Sequence, residues 1–224
     1  MTSPKKPKRR SQAERSREMR QRLLEAASVV LRRNGYAGLR TEEVSRIAGV
    51  SRGAQLHHFP TKGSLVLATT EYIFKASTDR GVARATAALA SSDPIEEIVR
   101  DGMEFFFSDD FLVLLDLVLM GEKNRKIREH IYSVARTHRP AVEEAWVKVL
   151  QRSGLERAQA ETVLWLTLSV VRGLAIRSLW QPDPKRFRGL LDEWKSLMSE
   201  RLAGRSRNGT RAGLGVAMPT GRRP

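Results

Sequence analysis

Residues 41–62 read TEEVSRIAGVSRGAQLHHFPTK, two short apolar-faced runs separated by a glycine. Thr41 can cap the first run, its hydroxyl accepting from a free backbone N–H. Glu42 and Glu43 then fall in the first turn, where negative charge suits the helix dipole. Val44, Ile47 and Ala48 share one face, and the small Ala48 lets a second helix approach closely. Gly49 can adopt the left-handed turn between the two helices, and Ser51 can cap the second. Phe59-Pro60 ends that second helix, because proline cannot continue it. Val50 and Ala54 point back toward Ile47, which leaves Arg52, Gly53, Leu56 and His57 facing outward.

This is the spacing of a helix-turn-helix, whose second helix lies in the DNA major groove with its first residues toward base edges. Arg52 is the leading base reader, since its guanidinium fork matches guanine O6 and N7. Gly53 has no side chain and lets the backbone approach a base edge or a thymine methyl. His57, four residues later on the same face, can donate to a base or a phosphate. Just beyond, Thr61 can cap the next helix and place Lys62 beside its free N–H groups, an arrangement suited to phosphate. The pair His57-His58 does not read as a metal site. Adjacent helical residues diverge by about 100°, and no acid or cysteine stands at ligand spacing.

Outward from this segment the chain reads as helix throughout. Leu23, Leu24, Ala27, Val30 and Leu31 recur at helical spacing, and Asn34-Gly35 stops that run. A helix over residues 62–80 carries Leu65, Ala68, Thr69, Tyr72, Ile73 and Ala76 on one stripe. After Ser92-Asp93-Pro94, helices are expected near 95–108, 111–120, 125–138, 140–153, 158–180 and 184–202. Strand signals are weak. The expected fold is all-α, a three-helix DNA-binding unit with a helix-turn-helix followed by a helical bundle. Four segments follow: a basic disordered arm (1–19), the DNA-binding domain (20–75), a ligand-binding and dimerisation domain (76–202), and a disordered tail (203–224) rich in Gly and Arg.

Of 224 residues, 41% are hydrophobic, enough for a packed core. The formal net charge is +15, and its location is informative. Residues 1–22 hold nine Lys or Arg against two Glu, and residues 203–224 hold five Arg and no acid. Residues 76–202 carry nineteen charges of each sign. Positive charge gathered this way favours polyanions. The arm is expected to add affinity without sequence choice, each neutralised phosphate steepening the log–log salt dependence by about 0.9. There is no cysteine, which excludes disulfides, iron–sulfur clusters and thiolate zinc sites and suits a reducing cytoplasm. The charged N-terminus does not read as a secretory signal. No run reaches the roughly 18 apolar residues of a membrane helix.

From Leu23 to Tyr72 the chain resembles the TetR family of bacterial regulators. The resemblance is carried in order by Ala27-x-x-Val30-Leu31, Gly35-Tyr36, Leu39-Arg40-Thr41, Ile47-Ala48-Gly49-Val50-Ser51, Gly53-Ala54, His58-Phe59-Pro60 and Lys62. It implies phosphate contacts from Arg40, Thr41, Ser51, His58 and Lys62, with His58 equally suited to a core role. One departure matters. The family usually has Leu-Tyr where this chain has Gln55-Leu56, and that tyrosine commonly touches the phosphate backbone. Leu56 cannot donate, so the contact is lost or passes to Gln55 or His57; Gln55 accordingly joins Arg52, Gly53 and His57 as a base-side candidate.

The resemblance also implies that the segment beyond about residue 80 binds a small effector and forms a homodimer on a double-stranded DNA operator. No cofactor or metal is expected. A largely apolar ligand pocket is expected among Met103, Phe106, Phe107, Phe111, Leu115, Trp165 and Leu168, with Asp116 and Arg172 as its charged members. Asp116, an acid inside FLVLLDLVLM, is expected to pair with Arg172 or Arg177, or to orient a polar ligand group. Residues 161–180 are apolar around most of the helix circumference and must be buried on several sides, either inside a bundle or between subunits. With the helices near 140–153 and 158–180 as interface candidates, Trp146, Leu150, Leu164, Val171, Ala175 and Leu179 are the expected dimer contacts. Repression is the family's usual mode, and an effector that favours misplaced reading heads must weaken DNA binding by the same coupling energy.

Two other classes compete. An architectural protein that coats DNA through its basic tails explains the charge but not the ordered turn and caps. A helical enzyme would need a nucleophile–base pair, a glycine-rich phosphate loop or a metal cluster, and His130 and His138 have no matching partners. A membrane-surface role lacks the apolar face an interfacial helix needs.

Overall fold

A computed structural model describes residues 11–121 and 124–205. Among these residues the chain is helical, with no strand. The helices in order are α1 (Gln12–Gly38), α2 (Thr41–Ala48), α3 (Arg52–His58), α4 (Lys62–Ala88), α5 (Pro94–Phe106), α6 (Asp109–Gly121), α7 (Arg125–Arg152), α8 (Arg157–Ser178) and α9 (Pro184–Arg205). Local chemistry explains the boundaries. Ser11 and Glu14 close a capping box on α1, with Glu14 N–H donating to Ser11 Oγ at 3.1 Å. Thr61 and Ser64 do the same on α4, and Asp93 caps α5 with Pro94 at its first position.

Two cores result. The first gathers Leu23, Leu24, Ala27, Val30 and Leu31 of α1, Val44 and Ala48 of α2, Phe59, and Leu65, Val66 and Ile73 of α4. It also takes in Val113, Leu114 and Leu117 of α6 and Ile127 and Ile131 of α7. The second joins the far ends of α4 and α7 to α5, α8 and α9 through Ile98, Phe106, Trp146, Leu150, Leu164 and Val171. The long helices α4 and α7 thus contribute to both cores, and Phe105 packs against each. They lie so close that a Cβ on Gly81 would sit 2.5 Å from Val142 Cγ2.

Several boundaries differ from the sequence expectation. Residues 12–19, expected to be part of a disordered arm, form the first turns of α1. Residues 1–10 and 206–224 of the expected arm and tail lie outside the described residues. Helices expected at 125–138 and 140–153 are one helix with Pro140 inside it; the lost bond and the ring–carbonyl clash are offset by the extended packing of α7 on α4. Gly35 does interrupt α1 as the sequence suggested, with φ 63° and ψ −177°, but three more residues continue helically to Gly38.

Candidate nucleic-acid interface

The turn between α2 and α3 is held from two sides. Gly49 takes the left-handed conformation, φ 62° and ψ 42°, and its N–H donates to Arg46 O. From α1, Arg22 Nη2 donates to Ala48 O, and to Gly49 O at 3.1 Å. Ser51 caps α3, accepting from Ala54 N–H at 3.2 Å. Thr41 is not the cap of α2; Arg40 occupies that position and makes no side-chain cap bond. The first N–H groups of α2 therefore lack an intrahelical acceptor and suit a phosphate oxygen.

Arg52, Gly53, Leu56 and His57 form the exposed side of α3. The Arg52 side chain is 75% exposed and lies 3.9 Å from Glu42 Oε1, an exposed pair loose enough to yield to a base. Gln55 is the correction. It is only 1% exposed, and its Nε2 donates to Phe59 O at 2.8 Å, so it ties the end of α3 to the core and cannot face a base.

Lys62 packs its ammonium 4.8 Å from the Tyr36 ring centre and donates to Ala37 O at 3.3 Å. Burial, and then Arg40 beside it, pull this amine below its ordinary range. Two cations close enough to repel one another mark a place where an anion is welcome. His58 is half-buried, and burial followed by His57 and Arg20 holds its imidazole below the ordinary range. Arg20 itself stacks 5.4 Å over Phe59. The role of α1 in this surface was missed in the sequence, where Arg20 and Arg22 read only as tail charge.

Between α4, α5, α7 and α8 lies a partly open cavity of about 90 Å³. Its apolar wall comprises Phe74, Phe105, Phe106, Val142, Trp146, Leu164 and Leu168, and its polar groups are Ser77, Thr78, Asp101, Arg139 and Glu143. Of the expected pocket residues, Phe106 and Leu168 line it. Phe111 packs edge-on behind Phe106 with ring centres 5.1 Å apart. Arg172 lies 5.7 Å over the Phe106 ring, and Trp165 sits under Arg139 at 5.7 Å. Leu115 is half-buried and outside the lining, while Met103 and Phe107 are exposed, at 38% and 43%. Trp146 and Leu164, assigned by sequence to the dimer contact, line the cavity instead. Leu150, Val171 and Ala175 are also buried in the protomer core, so of the expected contacts only Leu179, at 52%, is exposed. The small series Ser77, Thr78 and Gly81 was the available sign that α4 forms a wall.

Asp101 carries a testable charge in that wall. Burial raises its carboxyl, against the opposing effects of the Trp146 N–H, which donates at 2.9 Å, and of Arg84. A raised carboxyl makes ionisation costly in the folded state, so stability falls as pH climbs from about 3.9 through the raised value. Asp101→Asn keeps an acceptor for Trp146 and removes the charge. Its melting temperature is expected to exceed that of the parent chain at pH 7 and to converge with it near pH 4. A lower melting temperature at pH 7 would mean that the Arg84 pairing outweighs burial.

Helix α6 joins this region to the DNA-binding unit through two acids. Asp110 accepts from Arg32 of α1 at 2.6 and 2.8 Å, and from Arg80 of α4 at 3.2 Å. Asp116 Oδ2 accepts from the Tyr36 N–H at 2.9 Å, on the donor that the Gly35 break releases. Asp116 therefore pairs with neither Arg172 nor Arg177. Among the described residues no cluster of His, Asp and Glu could hold a metal ion, and no helix is long and apolar enough to cross a membrane.

Comparison with known proteins agrees with this geometry. Residues 23–69 match the family of bacterial regulatory proteins designated tetR. The HTH-type transcriptional regulator CymR of Pseudomonas putida is 45% identical over 197 residues, covering 88% of this chain and 97% of that protein. A transcriptional regulator from Saccharomonospora viridis, solved in complex with choline, superposes with a TM-score of 0.62 at 22% identity, covering 82% of this chain and 96% of its own. The multidrug binding protein EbrR, complexed with proflavin, gives 0.52 at 22% identity, covering 82% and 99%. With a helix-turn-helix held from α1 and an all-α body behind it, the chain belongs to the TetR family of DNA-binding transcriptional regulators.

Proposed function

We propose that the protein is a repressor that sits as a homodimer on a palindromic operator and leaves it when a small, largely apolar effector fills the cavity between α4, α5, α7 and α8. The observation that carries this reading is shared structure: α4 lines the cavity and also packs in the core with α1, α2 and Phe59, the residue that ends the reading helix. An effector that favours one arrangement of α4 must shift operator affinity by its own differential binding energy. Choline and proflavin, each bound to a protein of the same fold, support a small organic ligand.

Dimerisation is supported by the outer side of α8. Trp165 and Leu166 are exposed at 51% and 42%, and Leu190 and Leu197 of the adjoining α9 at 46% and 48%. A Cβ on Gly173 would meet nothing within 4 Å, leaving room for a close helix from a second copy. Isologous pairing of α8 and α9 would make a four-helix bundle.

The test is selection of genomic DNA fragments by the full chain and by Arg52→Ala. A two-fold palindrome recovered by the parent chain, with discrimination weakened by about 1–3 kcal/mol per half-site in Arg52→Ala, is the expected result. Recovery without sequence preference would instead favour binding through the basic ends. Screening apolar compounds against the operator complex then tests release: compounds that raise thermal stability yet leave operator affinity unchanged would refute the effector step.

A further inference from the structure

We infer that Leu56 is a specificity-determining residue that reads the C5-methyl group of a thymine in each operator half-site. The inference rests on the operator-binding reading above. Leu56 is 43% exposed on α3, on the same side as Arg52, Gly53 and His57, and takes no part in the apolar core beneath. Gln55, its neighbour, is turned inward and hydrogen-bonded to Phe59 O, which fixes the rotation of α3 and keeps Leu56 outward.

Gly53, one turn earlier, supplies the second observation. It is helical with no positive φ, and a Cβ added to it would meet only Ser51 Oγ, at 4.0 Å. The fold therefore does not require a glycine there, although glycine within a helix costs about 1 kcal/mol relative to alanine. A gap at Gly53 beside a projecting apolar Leu56 gives this side of α3 a notch and a tooth, shaped for close approach by an outside surface. In the major groove the thymine methyl is the one apolar group that base pairs present. A leucine side chain can neither donate to nor accept from any other base edge, and against a phosphate it would only remove water. Seated on a methyl, it buries apolar surface on both partners.

The experiment takes the operator selected by the full chain and replaces each thymine in turn with deoxyuridine. That change deletes the methyl and keeps every hydrogen-bonding group. Parent chain and Leu56→Ala are compared, with circular dichroism confirming that the exposed substitution leaves the fold intact. One thymine per half-site is expected to show about fourfold weaker binding by the parent chain as deoxyuridine, the fold-change for one methyl-sized group at ~0.8 kcal/mol. Leu56→Ala should bind the two forms equally. Two results overturn the inference: no thymine is methyl-sensitive, or the sensitivity persists in Leu56→Ala. If the parent chain selects no preferred sequence at all, the operator reading fails first, and this inference falls with it.

Discussion

Gly35→Ala is expected to lower unfolding stability by about 2–3 kcal/mol, read as a shift in the urea midpoint at unchanged slope. At φ 63° and ψ −177° Gly35 occupies a backbone region essentially closed to side chains, and its Cβ would stand 3.3 Å from Asp116 Oδ2. The substitution thus strains the break in α1 and crowds the acid that satisfies Tyr36 N–H. Asparagine should not rescue it, because ψ lies far from the left-handed helical well that asparagine tolerates. Gly49 provides the contrast. Its φ 62° and ψ 42° fall in that well, so asparagine there should do better than alanine, though either Cβ would stand 2.7 Å from Arg22 Nη2 and displace that side chain. If alanine at position 35 costs less than about 0.5 kcal/mol, α1 relaxes without strain and the break has no structural role.

The second large effect is expected at Asp110. This carboxylate is 11% exposed and faces two arginines, Arg32 and Arg80, from different helices. Breaking a fully buried ion pair costs about 3–5 kcal/mol. Here the Arg32 and Arg80 side chains keep 35% and 53% exposure, so water takes up part of the loss, and Asp110→Ala should cost about 2 kcal/mol. Asp110→Asn, which retains an acceptor, should cost less. Operator affinity distinguishes a coupling role from plain destabilisation. Leu150→Ala, deep in the second core, should lose about 2–5 kcal/mol of stability and leave operator affinity unchanged where both variants remain folded. Asp110→Ala should weaken the operator complex, because it frees α6 from α1. Equal operator affinity in the two variants would reduce Asp110 to a structural ion pair.

What the sequence revealed and what it concealed follow one physical line. Turn chemistry is local, so Gly49, Ser51 and Thr61 were legible from their own residue types. The orientation of α3 was not. At seven residues the helix is too short for a hydrophobic period, and a polar Gln55 looked like a reader until a carbonyl at Phe59 satisfied it. Asp116 had its partner eighty residues away, on a backbone N–H that no side-chain pattern encodes. Helix α8 posed the opposite difficulty: it is apolar on nearly every side, so composition could not separate protomer core from outer face. Val171 and Ala175 turn inward, while Trp165 and Leu166 turn out. Pro140 suggested a helix end, yet α7 tolerates it along its long packing against α4.

The anchoring of α3 at both ends has a kinetic corollary. Arg22 holds the turn that leads into the reading helix and Gln55 ties its far end to Phe59 O, so both ends of α3 are held before any partner arrives. Ordering a residue costs about 1–2 kcal/mol of conformational entropy, and here that cost falls on folding rather than on association. The protein therefore meets DNA as a finished probe. A reading helix ordered in advance is expected to sample successive registers without refolding at each, so its rate of arrival should follow diffusion and charge steering.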